Sequence, residues 1–154
     1  MKKPSICLAL ALLSTAGCGM LKDDPSSKDI DQKASEVEFQ AKESRTRSAL
    51  ARMEAALRAY VDEEKKIPEN LEELIPKFLA DIPMVETGVR GHFDTAAVKN
   101  YPPTILQDGL INGAKLRDSG RWGYVHNAER VVVFIDCTHK SSQSIPWYQE
   151  RGVY

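Results

Sequence analysis

Apolar residues in this chain fall into separate blocks, and the spacing within each block predicts a different element. Residues 6–13, Ile-Cys-Leu-Ala-Leu-Ala-Leu-Leu, are one short apolar run preceded by Lys2 and Lys3 and followed by the small residues Thr15-Ala16-Gly17. A positive start, a run of roughly 7–15 apolar residues and a small-residue step make a secretory signal, so residues 1–17 are predicted to be removed. Residues 18–29 carry Gly19, Pro25, Ser26 and Ser27 among charged groups and predict a flexible tether. From 30 to 66 there is no proline or glycine, and Ala, Glu, Lys, Arg and Gln dominate. Apolar positions recur there at Ile30, Ala34, Val37 and Ala41, then at Leu50, Met53, Leu57, Tyr60 and Val61. Steps of three and four keep them on one face, which predicts a single long amphipathic helix over 30–66. Because residues 42–48 are nearly all polar, its first half is expected to stand off the head and its second half to pack into it.

Past that helix the pattern shortens. Asn70 as N-cap with Glu73 three residues on predicts a second helix over 70–80, with Leu71, Leu74 and Ile75 facing inward. Residues 84–100 have little periodicity and predict an irregular loop. The sheet is expected over 101–137. Its strongest signals are the aromatic run Trp122–Val125 and the β-branched run Val131–Ile135, with a turn at His126–Glu129 between them. Five consecutive apolar residues in the second strand predict that it is central in the sheet, with one face against the long helix. Residues 138–154 complete the chain as a C-terminal loop. The fold class is therefore α+β, with residues 30–154 forming one domain: a long N-terminal helix, a short second helix, and a small antiparallel sheet ending in a β-hairpin.

Composition narrows the function classes. The chain has 154 residues with 21 basic and 22 acidic side chains. Cutting before Cys18 removes 17 residues, Lys2 and Lys3 among them, and leaves 137 residues with 19 basic and 22 acidic groups. That net −3 is spread along the chain, without the basic stripe that nucleic acid requires, so no nucleic-acid partner is expected. Of the three cysteines, Cys7 leaves with the signal and a lipidated Cys18 has no free sulfur, so Cys137 is the one thiol left and no intramolecular disulfide is expected. A hydrophobic fraction of 42% is enough for an unstapled core.

The segment Thr15-Ala16-Gly17-Cys18 resembles a lipobox, the motif at which bacterial lipoproteins are cleaved before a diacylglyceryl-modified cysteine, with Thr15 in place of the usual leucine. The resemblance implies fatty acid, palmitate among it, on Cys18 and a membrane anchor made of lipid alone. Two or three acyl chains hold firmly where one does not, since each buried methylene contributes about 0.8 kcal/mol. The alternative is an ordinary secretory signal cut near Ala16, leaving Cys18 as a free thiol. Gly19 after Cys18 is not the aspartate that retains enteric-type lipoproteins at the inner membrane, so the expected location is the outer membrane, facing the periplasm.

The order of elements is similar to that of the type IV pilin and type II secretion pseudopilin heads. The residues that carry the likeness, between 48 and 154, are Ala55–Tyr60, Ile67-Pro68, Leu71, Leu74-Ile75-Pro76, Phe78-Leu79 and Ile82-Pro83. They are followed by Gly120-Arg121-Trp122-Gly123-Tyr124-Val125, Cys137-Thr138-His139 and Ile145-Pro146-Trp147-Tyr148. The resemblance implies a pilin-like fold, a non-enzymatic structural or interaction role, and partners among the envelope proteins of a type II secretion or type IV pilus system. Residues 29–48 are polar where a pseudopilin has its apolar stalk, so a filament subunit is not implied. The calcium site of the major pseudopilins is not carried over, because residues 138–146 hold no Asp or Glu and Asp136 alone cannot supply six to eight oxygens.

The remaining candidate chemistry is sparse. Cys137 and His139 are two apart, which in a strand puts both side chains on one face, but cysteine catalysis needs a third group to orient the base. None is visible in sequence. His92 and His126 lie on other segments, in no recognisable zinc-ligand spacing, so no metal and no cofactor are expected. The polar helix half reads as a solvated spacer or as a partner-binding helix using Ile30, Val37 and Phe39. Trp122, Tyr124, Trp147 and Tyr148 read as core, with a ligand groove as the alternative. A small-ligand or peptidoglycan-binding lipoprotein using the loops 84–100 and 138–146 is the second functional expectation.

Overall fold

The computed structural model describes residues 25–151, with side chains from Lys28 onward. The signal at 1–17, the lipidation residue Cys18 and most of the tether lie outside the described residues. The helix α1 spans Pro25–Glu64 and is 40 residues long, about 60 Å at 1.5 Å per residue. It starts earlier than 30, so the end of the expected tether is helical. Proline is tolerated in a first helical turn, where its missing N–H would have no partner. Lys65, with φ +56°, leaves the helical region and ends the element. No helix among the described residues is long and apolar enough to cross a membrane.

The two halves of α1 live in different surroundings. Residues 28–38 are all exposed, with Ile30 at 64% and Val37 at 66%, so the apolar positions read there from sequence cover no core. Burial begins near Glu43 and follows Thr46, Ala49, Leu50, Met53, Ala56, Leu57 and Tyr60 at steps of one and three. That stripe faces the sheet, and each of its large apolar side chains contributes about 1.5–3 kcal/mol by leaving water.

After α1, the expected helix over 70–80 shrinks to one 3₁₀ turn at Leu71–Leu74. Ile75 is extended at φ −92° and ψ 140°, as the residue before a proline is driven to be by Pro76. Leu71 and Leu74 are nevertheless buried, and Tyr60 Oη donates to Glu73 Oε2 at 2.6 Å. The donated hydrogen bond holds the Glu73 carboxyl below its ordinary range.

Five short strands follow among the described residues: β1 Val98–Tyr101, β2 Leu106–Gln107, β3 Leu110–Ile111, β4 Arg121–His126 and β5 Val131–Asp136. The main sheet has the order β1-β4-β5, with β1 parallel to β4 and β4 antiparallel to β5, while β2 and β3 form a separate two-stranded ladder. The sheet is therefore mixed and not antiparallel, it begins at Val98 inside the expected loop, and β4 is its central strand. β5 lies at an edge. Its continuous apolar run reflects cover on both faces: Val133 and Ile135 meet α1, whereas Phe134 packs with Tyr101, Ile105, Ile111 and Val125 under the 102–116 segment. His126 closes the ladder opposite Val131 and so belongs to β4, leaving a tighter turn. Gly123 faces the ring of Phe134, which occupies the space a Cβ would need.

The segment 84–97 is a strap along α1. Val85 and Thr95 pair in an isolated bridge that closes it. Thr46 Oγ1 accepts from Glu86 N at 2.7 Å, Arg45 forks onto the Glu86 carboxylate, and Lys42 meets Asp94 at 2.9 Å. Phe39 covers Gly88, whose φ of +67° and lack of a side chain allow the approach. The C-terminal segment is held in the same way, with Trp147 fully buried in a 3₁₀ turn at Trp147–Gln149.

Candidate functional site

The strand β5 delivers two residues to one corner of the head. Asp136 is fully buried at its end, and Cys137, also fully buried, follows directly. Asp136 folds the preceding loop over itself: Oδ1 accepts from Asp118 N at 3.2 Å, Oδ2 accepts from Ser119 N at 3.3 Å and Ser119 Oγ at 2.5 Å, and its carbonyl accepts from Gly120 N at 2.8 Å. Tyr101 Oη accepts from Arg117 N at 3.0 Å and holds the loop from below. Burial pushes that phenol up to about 12. With φ at +56°, Asp118 takes the left-handed conformation that aspartate tolerates better than most residues. Its carboxylate then points back toward β5, where Oδ1 accepts from Thr138 N at 2.7 Å.

The strap 84–97 brings His92 to the same corner. Gly91 at φ +94° turns the chain, and His92 N closes the turn on Val89 O at 3.0 Å. His92 Nδ1 lies 3.4 Å from Oγ1 of the buried Thr87, which leaves Nε2 facing inward, 3.8 Å from Asp118 Oδ1. Gly120 makes room for this ring, since a Cβ there would sit 2.7 Å from His92 Cγ. His139 completes the group: its Nδ1 is 3.4 Å from Asp118 Oδ2 and 3.7 Å from Cys137 Sγ, and its ring meets His92 edge-on at a centroid distance of 5.3 Å. One ligand atom from each of His92, Asp118, Cys137 and His139 lies within 4.8 Å of every other.

The electrostatics separate the possible chemistries. Burial pushes the Cys137 thiol up to about 12, with the His139 backbone only partly opposing it, so the metal-free side chain is a neutral thiol. Burial also opposes ionisation of Asp118, but the Thr138 N–H and the two imidazoles outweigh it and hold the carboxyl below its ordinary range. A cysteine nucleophile needs a lowered thiol, a base on one imidazole nitrogen and an orienting group on the other. Here Cys137 and Asp118 both face Nδ1 of His139, so no relay can run through the ring. The arrangement is convergent, as ligands around a common centre are.

Sequence spacing brought Cys137 and His139 together correctly as neighbours, and the structure adds His92 and Asp118. His126 lies elsewhere, against Tyr124 at 5.5 Å between ring centroids. Trp122, Tyr124 and Trp147 are fully buried, with Trp122 Nε1 donating to Pro83 O at 2.7 Å and Tyr124 Oη to Pro68 O at 2.5 Å; they are core and line no groove. The missed partners had a faint signal. Asp118-Ser119-Gly120 is a turn tripeptide, and Gly91 precedes His92. No protein-family model matches this chain, no curated protein is significantly similar to it, and no solved structure matches it significantly.

Proposed function

We propose that this chain is an outer-membrane lipoprotein, held by fatty acid on Cys18, whose pilin-like head serves without catalysis as a structural or protein-interaction module facing the periplasm. The observation that carries the reading is the exposed half of α1. Residues 28–38 are exposed on every side, a span of about 16 Å, which suits a stalk that sets the head away from a bilayer. The long helix packed by its second half on a small sheet supports the pilin-like comparison, while the parallel pairing of β1 with β4 departs from the antiparallel sheet expected of such a head. A type II secretion or type IV pilus apparatus supplies the class of partner that such a head meets.

Labelling with radioactive fatty acid tests the anchor: wild type takes up label and Cys18→Ala does not. Equal labelling of the two removes the lipoprotein reading. Crosslinking in intact envelopes is then expected to recover secretion or pilus components, and recovery of only abundant lipoproteins counts against the apparatus. The second reading, a ligand-binding lipoprotein, is favoured by one fact: the loops 84–100 and 138–146 meet, through His92 and His139, at one corner of the head.

A further inference from the structure

We infer that His92 Nε2, Asp118 Oδ2, Cys137 Sγ and His139 Nδ1 form a four-ligand zinc site that pins three separate segments of the head together. The inference stands independently of the lipid anchor. A tetrahedral zinc ion has bonds of about 2.3 Å to sulfur and about 2.0–2.1 Å to nitrogen and oxygen, which separates sulfur from nitrogen by about 3.6 Å and nitrogen from oxygen by about 3.3 Å. The observed separations are 3.7 Å for Cys137 Sγ to His139 Nδ1 and 3.4 Å for His139 Nδ1 to Asp118 Oδ2; His92 Nε2 lies 3.8 Å from the other Asp118 oxygen, Oδ1, and one ligand atom from each of the four residues lies within 4.8 Å of every other. Contraction of a few tenths of an ångström closes the two His139 edges, and a larger shift, from separations of up to 4.8 Å, brings in the remaining ones. His139, whose side chain is half exposed, can make the largest adjustment and gives the ion its entry path.

The surroundings orient the ligands. Thr87 engages His92 at Nδ1 and so directs Nε2 inward, and Thr138 N–H occupies Asp118 Oδ1 and leaves Oδ2 for the metal. Such outer partners fix the tautomer and direction of metal ligands. Charge closes as well. On binding, Zn²⁺ displaces the Cys137 thiol proton to solvent and forms a Zn–S bond, while both imidazoles bind neutral. One thiolate and one carboxylate then balance the dication, so the half-buried site carries no net charge and escapes the large cost of an unpaired buried ion. Calcium and magnesium demand oxygen ligands, whereas a mixed nitrogen, sulfur and oxygen set suits zinc. Four protein ligands fill the tetrahedron, which makes the site structural and not hydrolytic.

The test uses the full chain, purified in detergent without a polyhistidine tag, stripped with chelator and titrated with Zn²⁺ against a chromophoric competitor. One equivalent is expected to bind. His139→Ala, a change at an exposed side chain that leaves the core intact, is expected to weaken binding at least about 100-fold, and Thr87→Ala roughly 10- to 100-fold. His126→Ala binds as wild type. Loading with Co²⁺ instead gives intense tetrahedral d–d absorption and a thiolate-to-cobalt charge-transfer band, and Cys137→Ser loses that band. Absence of stoichiometric zinc in wild type, unchanged affinity in His139→Ala, or a cobalt spectrum indifferent to Cys137→Ser each overturns the site.

Discussion

Two polar clusters lie on the same head, and they are built on opposite principles. In the first, Glu43 of α1 is 1% exposed and accepts from Ser142 N at 2.8 Å, from Ser142 Oγ, and from Arg47 at 3.3 Å. Arg47 also meets Glu150 at 3.3 Å, Ser141 Oγ donates to Glu150 at 2.5 Å, and the guanidinium sits 5.3 Å from the centre of the Trp147 ring. The carboxylates have donors of their own within hydrogen-bonding reach, although Arg47 Nε and Trp147 Nε1 find no acceptor. In the second cluster the inward atoms of His92, Asp118, Cys137 and His139 stand 3.4–3.8 Å apart along the contacts they make. The first set satisfies its carboxylates from its own donors and fastens the C-terminal segment to the helix. The second points at a shared centre that protein atoms do not fill with good hydrogen bonds, and that difference marks a ligand site among otherwise ordinary polar residues.

The largest expected effect comes from breaking the cluster around Glu43. Glu43→Ala strands Ser142 N and leaves Arg47 with Glu150 alone, which costs about 3 kcal/mol. Urea unfolding is expected to show that loss, while zinc affinity stays at the wild-type value because the second cluster shares no residue with the first. Gly120→Ala separates the clusters from the other side. It places a side chain at φ +69° and a Cβ 2.7 Å from His92 Cγ. A left-handed conformation costs an L residue about 1–2 kcal/mol. Displacement of His92 adds a loss of zinc affinity that Glu43→Ala does not produce.

A smaller effect probes the support beneath the convergent cluster. Burial raises the folded-state Tyr101 phenol from 10.0 to about 12. A group that holds its proton more tightly when folded contributes full stability below its unfolded value, here near pH 10, and loses it as pH climbs toward 12. The metal-free head is expected to lose stability across that interval, and Tyr101→Phe to flatten the decline in an unfolding titration against pH. Burial shifts Tyr124 in the same direction, so part of the slope remains. The smallest effect is on the exposed half of α1, where Ile30→Ser and Val37→Ser are expected to change unfolding free energy by less than about 0.5 kcal/mol.

The same contrast explains what could be read without coordinates. The long helix and the β4-β5 hairpin were legible because periodicity and a β-branched run are local signals. β1 was not, since Val98-Lys99-Asn100-Tyr101 has no alternation and gains its place by parallel pairing with β4 more than twenty residues on. The helix expected over 70–80 failed at Ile75, where Pro76 outweighs the spaced leucines. The edge position of β5 was hidden because a covered strand and a central strand have the same apolar run. Glu43 and Arg47 belong to the polar stretch 42–48, which is expected to stand clear of the core, yet they are buried by Ser141, Ser142 and Glu150, about a hundred residues away. For the site, Cys137 and His139 were legible as a pair two residues apart. His92 and Asp118 reach them through glycine turns and the Asp136 hydrogen bonds, which no regular spacing encodes.

X-ray absorption at the zinc edge on the loaded full chain tests the convergent site most directly. The expected first shell is one sulfur near 2.3 Å and three nitrogen or oxygen atoms near 2.0–2.1 Å, with the outer-shell scattering of two imidazoles. Cys137→Ser is expected to remove the sulfur and His139→Ala one imidazole. A shell of oxygen alone, or one that keeps its sulfur in Cys137→Ser, contradicts zinc held by these four residues.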